Sequence, residues 1–256
     1  MGLTGKYIKM TALLVVIIII LLAVAKYIFF GSDTGYYQKK EFFMDTVVTV
    51  KIARDEIDKG QVIIEETMNI MKDYSKKLDR FTDESEISKI NQSAGEKEEV
   101  SGFIIDLLKT GNRYYRLSNG AFDPTIAPIL DLWGFGRDYK KVPAEKEVNS
   151  MLKYVGLEKV KYSTEKNTVL LANGMKLDLG ALAKGFIIDK GFEYLENAGI
   201  DSAYINAGGN IRVIGNNVKG SPWIIGITKP RNTEEVFEEY LITVNSGSVA
   251  TSGDYE

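Results

Sequence analysis

Cysteine and histidine are both absent from the 256 residues. Without cysteine there is no disulfide scaffold, thiolate metal site or thiol nucleophile, and without histidine there is no Ser-His-Asp hydrolysis and no imidazole ligand. Any metal must therefore be held by oxygen, which favours Mg2+ or Ca2+ over zinc. Any protein acid or base must be a carboxylate, lysine or tyrosine. Strong positive charge is missing as well: 32 Lys+Arg stand against 35 Asp+Glu, a formal net charge of −3, so nucleic acid is not the expected partner. Hydrophobic residues at 45% and charged residues at 26% are the proportions of an ordinary globular chain.

Long apolar runs are also scarce, with one exception at the start. Met10 to Ala25 is apolar or weakly polar throughout, Lys26 interrupts it, and Tyr27 to Phe30 extends it; Lys6 and Lys9 precede it and the first acid is Asp33. About 20 such residues span a bilayer, with Lys26 reaching to the interface. The basic flank would stay cytoplasmic and place the remainder outside. Residues 1–30 are thus expected to be a single N-terminal transmembrane helix in the cell membrane. A cleavable signal peptide is the rival reading, because Ala23-Val24-Ala25 is an acceptable cleavage site. Residues 31–40 read as a polar linker, and 41–256 as the extracytoplasmic domain, long enough for a proper core.

In that domain, alternation predicts a strand at 46–52. Helices are expected at 55–79, at 101–118 behind Ser101 as N-cap, within the loop 120–136, and from Pro143 to about 155. Residues 82–92 read as a polar loop with at most a turn of helix. Short strands follow at 158–162, 167–172 and 175–179, a helix at 181–198, and strands at 202–206, 210–214, 222–228 and 239–244. Helices early and hairpin-like strands late make the fold class α+β.

Four segments carry chemistry. At Leu177-Asp-Leu-Gly-Ala-Leu-Ala-Lys-Gly185 a strand runs into a helix start, whose free N–H groups and dipole form an anion site. Asp178 is explained equally well as a cap, whereas Lys184 opposes the dipole, and a bound phosphate or a partner carboxylate would relieve that conflict. In Gly120-Ala-Phe-Asp-Pro124, with Asp131, Trp133 and Phe135 nearby, aromatics beside acids would suit a planar ring, or form only a satellite hydrophobic cluster with Asp123 as a turn former. Asn206-Ala-Gly-Gly-Asn210 is hairpin chemistry that would also let backbone approach a phosphate, and Ala250-Thr-Ser-Gly-Asp-Tyr255 is a small polar turn.

Taken in order with Met44-Asp-Thr46 and Leu78-Asp-Arg-Phe-x4-Glu-Ile-Ser-Lys-Ile-Asn91, these segments resemble the ApbE family, the FAD:protein FMN transferases, from about residue 40 to the last residue. The resemblance implies a T-fold-like domain and Mg2+-dependent transfer of FMN from FAD to a Thr or Ser hydroxyl of an exported acceptor flavoprotein, with release of AMP. Family acceptors are typically subunits of Rnf-type or sodium-pumping redox complexes, or related domains. By position, Met44, Phe81, Ala121, Phe122, Asp123, Asp178 and Lys184 would contact FAD, and the carbonyl of Ala181 would bind the metal; no catalytic residue is assigned. Family members often carry tyrosine at Phe81. They also continue past the Ser-Gly-Asp-Tyr segment with a His-x-Ile-Asp-Pro motif and the Asp and Thr that complete the metal site, so on this resemblance the chain reads as a C-terminally truncated member. An FAD pyrophosphatase and a non-catalytic flavin-binding protein are the alternative functions.

Overall fold

The computed structural model describes residues 35–53, 59–137, 139–228 and 236–253. Residues 1–30, expected to be an anchor or signal, lie outside them, as do the start of the helix expected at 55 and Asp254 and Tyr255 of the last motif. No helix among the described residues is long and apolar enough to cross a membrane.

The centre is an antiparallel sheet in the order β1 (Tyr36–Phe43), β2 (Thr46–Ala53), β6 (Ala203–Ala207), β7 (Asn210–Ile214), β10 (Gly247–Ala250). Alternation on β2 points Val48, Val50 and Ile52 to one face, all fully buried. There they meet Ile64, Met68 and Met71 of helix α1 (Gly60–Leu78) and Ile187, Ile188, Phe192 and Leu195 of helix α6 (Gly180–Asn197). The opposite face carries a smaller cluster, in which Trp223 and Ile225 of β8 (Trp223–Thr228), paired with β9 (Val236–Val244), cover Val213 and Tyr204. Between α1 and α6 the chain forms α2 (Glu86–Gln92), β3 (Lys97–Glu99), α3 (Gly102–Leu117), α4 (Ala127–Trp133), α5 (Glu145–Leu152), a 3-10 turn at Leu157–Lys159, β4 (Lys161–Ser163) and β5 (Thr168–Leu170). Strands β3, β5 and β4 make a second small sheet. The α+β class is as the sequence predicts.

Several local expectations are corrected. Residues 36–40, read as linker, belong to β1, which pairs with β2 along its whole length. Residues 86–92, read as loop, form α2, with Ser85 Oγ accepting from the Ser88 amide at 3.0 Å. The helix expected from Pro143 is shorter, Glu145–Leu152, and a 3-10 turn replaces the start of the strand at 158–162. Residues 175–179 alternate in burial as a strand would, but pair with no strand. Asn91 fills that role instead: its Nδ2 donates to the Leu177 carbonyl at 3.0 Å and its Oδ1 accepts from the Leu177 amide at 2.6 Å. Residues 247–250, read as the approach to a polar turn, make the edge strand β10. Ser101 stands at the N-cap of α3 as expected, but makes no capping bond there; its amide and hydroxyl both donate to Glu86 at 2.8 Å.

Two tight hairpins lie side by side at one end of the sheet, joining β1 to β2 and β6 to β7. In the second, Gly208 and Gly209 have φ of +58° and +80°. In the first, Met44 and Asp45 hold φ of +57° and +56° without being glycine. A two-residue loop with both residues left-handed is the type I′ turn demanded by strand twist, usually met by Asn-Gly. Side chains held there carry strain of about 1–3 kcal/mol each, and such strain collects at functional sites.

Candidate functional site

The start of α6 lies between two cavities. A helix sends residues three and four apart to one side, so Gly180, Ala183, Lys184 and Ile187 face one cavity of about 730 Å³, which Met44, Phe81 and Asp178 also line. Residues Ala181, Leu182, Gly185 and Phe186 face a second of about 640 Å³, lined too by Tyr114, Leu117 and Phe122. Both volumes fall within the range of ligand clefts, roughly 300–1,000 Å³.

The first cavity gathers four of the residues expected to contact FAD: Met44 from the strained hairpin, Phe81 from the loop after α1, and Asp178 and Lys184 from the helix start. Asp178 is built in from three sides. Its amide donates to the Pro124 carbonyl at 2.8 Å, which ties the Gly120–Pro124 loop to the helix start. Its Oδ1 accepts from the Gly180 amide at 2.8 Å, which ties it to the first residue of α6, although Leu179 holds the N-cap position and makes no side-chain cap bond. Its Oδ2 lies 2.6 Å from Arg80 Nε, an ion pair whose alignment is not that of a hydrogen bond.

Arg80 is the residue that sequence reasoning missed. Its side chain is only 7% exposed, and its Nη1 donates to Asp131 Oδ1 at 2.8 Å. Asp131 also accepts from Lys176 Nζ at 2.8 Å and has Arg137 at 3.7 Å. Burial opposes the Asp131 charge, but the Arg80 and Lys176 hydrogen bonds outweigh it and hold the carboxyl below the usual carboxylate range. Asp131, expected beside a planar ligand, is therefore committed to this ion network. The Arg80 and Arg137 guanidiniums lie 4.3 and 5.4 Å from the centre of the Phe81 ring. Gly136 presses on the same ring: a Cβ there would sit 2.1 Å from it, so the close approach requires glycine. Phe81 is thereby fixed at the cavity, 45% exposed.

Among the described residues Lys184, the fifth residue of α6, has no acidic partner to offset the helix dipole. Lys76, at the end of α1, lines the same cavity and is likewise unpaired among the described residues. The cavity thus holds two lysines without acidic partners among the described residues, beside an aromatic ring, a helix N-terminus and the acids Asp45 and Asp79.

The other expected residues fall elsewhere. Phe122 and Ala181 line the second cavity, and Ala121 is exposed. Asp123 serves its own loop: Oδ1 accepts from the Thr125 amide at 2.8 Å and the Thr125 hydroxyl at 2.6 Å, and Oδ2 from the Leu157 amide at 3.3 Å. Its carboxylate is occupied where a ligand contact was expected. Among the described residues no group of three or more Asp or Glu side chains converges as a metal site. Mg2+ requires about six oxygens, so Ala181 with the described side chains does not make such a site.

Residues 44–256 match the ApbE family. The chain is 33% identical over 198 residues to an FAD:protein FMN transferase of Haemophilus influenzae, covering 75% of this chain and 57% of that one. It is 31% identical over 217 residues to the protein of that name from Vibrio cholerae, covering 83% and 64%. It therefore spans about six-tenths of the length of these relatives. Among solved structures, the ApbE protein of Thermotoga maritima superposes with a TM-score of 0.79 at 34% identity, over 86% of this chain and 71% of that one. The apo flavinyl transferase ApbE of Pseudomonas stutzeri gives 0.76 at 26% identity, over 86% and 69%. With the family matched along most of its length and the same fold in both solved relatives, the chain belongs to the ApbE family.

Proposed function

We propose that this protein transfers FMN from FAD to a Thr or Ser hydroxyl of an acceptor flavoprotein, and that the 730 Å³ cavity at the start of α6 holds the FAD. The observation that carries the reading is the pair of unpaired lysines, Lys184 and Lys76, set with the Phe81 ring around one helix N-terminus. A dinucleotide offers that arrangement a pyrophosphate for the cations and a flat ring for the aromatic. The names of the relatives point the same way.

On this reading Lys184 and the helix start neutralise the pyrophosphate, Lys76 draws the anion from the opposite wall, and Phe81 orients a ring system. Asp178 keeps the helix start in place through Gly180 and Arg80 and is not free to act as a base. The acceptor hydroxyl oxygen attacks the FMN phosphorus, the bond between the two phosphates breaks, AMP leaves, and the hydroxyl proton passes to solvent. The family resemblance implies Mg2+ with the Ala181 carbonyl as a ligand, a site that the described side chains do not complete.

Residues 10–30 would anchor the protein in the cell membrane with the domain outside, supported by the apolar run and its basic flank. The acceptor would then be an exported protein, of the kind found in Rnf-type or sodium-pumping redox complexes. The test is intact-mass spectrometry of such an acceptor after incubation with the chain, FAD and Mg2+. A gain of one FMN on a Thr or Ser, with AMP released in equal amount, is expected. Free FMN with no gain in mass would replace transfer by hydrolysis.

A further inference from the structure

After α4, Gly134-Phe135-Gly136-Arg137 makes a tight loop beside the 730 Å³ cavity. Gly134 and Gly136 hold φ of +78° and +71°, which glycine adopts without penalty. The Phe135 amide donates to the Leu130 carbonyl at 3.0 Å and the Arg137 amide to the Gly134 carbonyl at 3.1 Å. A Cβ on Gly134 would lie 2.0 Å from the Tyr139 carbonyl oxygen, as one on Gly136 would meet the Phe81 ring, so the loop is fixed on both sides. Gly136 and Phe81 both line the cavity. Arg137, the next residue, stands at its rim with its guanidinium 5.4 Å from the centre of the Phe81 ring.

Arg137 is also the least engaged cation of the Asp131 network. Among the described residues its one ion contact is Asp131 Oδ1 at 3.7 Å, and that carboxylate already accepts from Arg80 and Lys176 at 2.8 Å each. The other acid of the network, Asp178, has Arg80 beside it at 2.6 Å. Three cations, Arg80, Lys176 and Arg137, thus stand against the two carboxylates of Asp131 and Asp178, a surplus of one positive charge. Arg80 is buried and Lys176 holds a short bond, so the surplus lies with Arg137, whose side chain is 47% exposed and can turn without breaking one.

We propose, resting on the reading that this cavity holds FAD, that Arg137 is a catalytic residue that meets the charge developing on the leaving AMP. An intact FAD pyrophosphate carries two negative charges, which Lys184 and Lys76 match in number. The acceptor hydroxyl oxygen attacks the FMN phosphorus, and the bond from that phosphorus to the bridging oxygen breaks. The electron pair stays on the AMP phosphate and the hydroxyl proton passes to solvent. The FMN phosphodiester keeps one negative charge and AMP takes two, so a third charge appears during the step. Asp45 and Asp79 share the cavity, so neither lysine is in surplus to meet it. The planar guanidinium of Arg137 suits two phosphate oxygens at once. A contact made only as that charge appears speeds the step and leaves FAD binding unchanged.

The test measures FAD and AMP binding to the full chain by titration calorimetry at about pH 8, where the AMP phosphate carries close to two charges. The same samples are assayed for FMN transfer at saturating FAD. Arg137→Met is expected to bind FAD as the unaltered chain does and AMP roughly 10-fold more weakly. Its transfer is expected to be roughly 100-fold slower, with Arg137→Lys between the two and the melting temperature unmoved, since a long, half-exposed ion contact adds little stability. Lys140→Met, which removes one exposed charge from the same loop, is the control and is expected to change neither ligand. AMP affinity unchanged in Arg137→Met, equal weakening of FAD and AMP, or the same losses in Lys140→Met would each overturn the proposal. An unaltered chain that binds no FAD would instead overturn the reading of the cavity, and this inference with it.

Discussion

The two cavities beside the start of α6 share a helix and differ in almost everything else. On one side Lys184, Lys76 and Phe81 surround a helix start whose acid, Asp178, is already engaged. On the other, Tyr114, Leu117, Phe122, Leu182 and Phe186 make a mainly apolar groove. A single turn of helix separates them, because neighbours in sequence point about 100° apart and only residues three or four apart share a side. Ala181 and Lys184, although three apart, line different cavities, while Gly180 and Lys184 line the same one. The lesson is that closeness in a motif is not closeness in a site. The cavity with unpaired cations is the one we propose for the pyrophosphate.

Substitutions that separate the two sides test this reading. The largest effect is expected from Asp178→Ala, which removes the bond to the Gly180 amide and leaves the buried Arg80 guanidinium with Asp131 as its one near carboxylate among the described residues. A loss of about 2–4 kcal/mol in urea unfolding is expected, with loss of FAD binding. Unchanged stability would mean that the ion network does not hold the helix start. Next, Lys184→Met should weaken FAD binding by roughly 10–100-fold, the value of a charged hydrogen bond, while leaving the melting temperature level or higher, since it removes a cation from the first turns. Leu117→Ser, in the apolar groove and 69% exposed, should leave FAD affinity where it was. If the two variants behave alike, the comparison fails.

Smaller effects sharpen it. Because Asp131 is held below the usual carboxylate range, its ion network contributes stability above the ordinary aspartate pKa and loses it as pH falls through the lowered folded value. Thermal midpoints followed from about pH 6 down to about pH 3 should therefore fall less steeply in Asp131→Asn, which starts lower. Replacing Met44-Asp45 by Asn-Gly should relieve the positive-φ strain and stabilise the fold by about 1 kcal/mol, yet weaken FAD binding as Met44 leaves the cavity. A gain in stability with full affinity would detach the strain from function.

Much of the site was legible because its signals are local. The dipole conflict at Lys184 can be read from the position of one lysine near one helix start, and the tie of Asp178 to that start from its place just before it. Arg80 was not legible: its partners Asp131 and Asp178 lie 51 and 98 residues away, and only the fold brings the three together. Asp123 is a ligand contact only by the family resemblance, and the turn its own loop also allows is the one it makes with Thr125, two residues on. In the fold, Met175, Leu177 and Leu179 alternate as a strand would and are buried as one would be, but a side chain, Asn91, took the place of the neighbouring strand. Tyr36–Phe43 was partly hidden by Lys39 and Lys40, charges that suit an edge strand and resemble a linker. Ile87 and Ile90, both buried, were the helical signal in α2, too short to stand out against its polar flanks.

The most direct test of the account is an equilibrium titration of FAD into the chain and its Lys184→Met and Leu117→Ser variants, with each fold verified by circular dichroism. The account predicts weakening of roughly 10–100-fold for Lys184→Met alone. Full affinity in Lys184→Met, with affinity lost in Leu117→Ser, would contradict it and move the nucleotide to the apolar side of the helix.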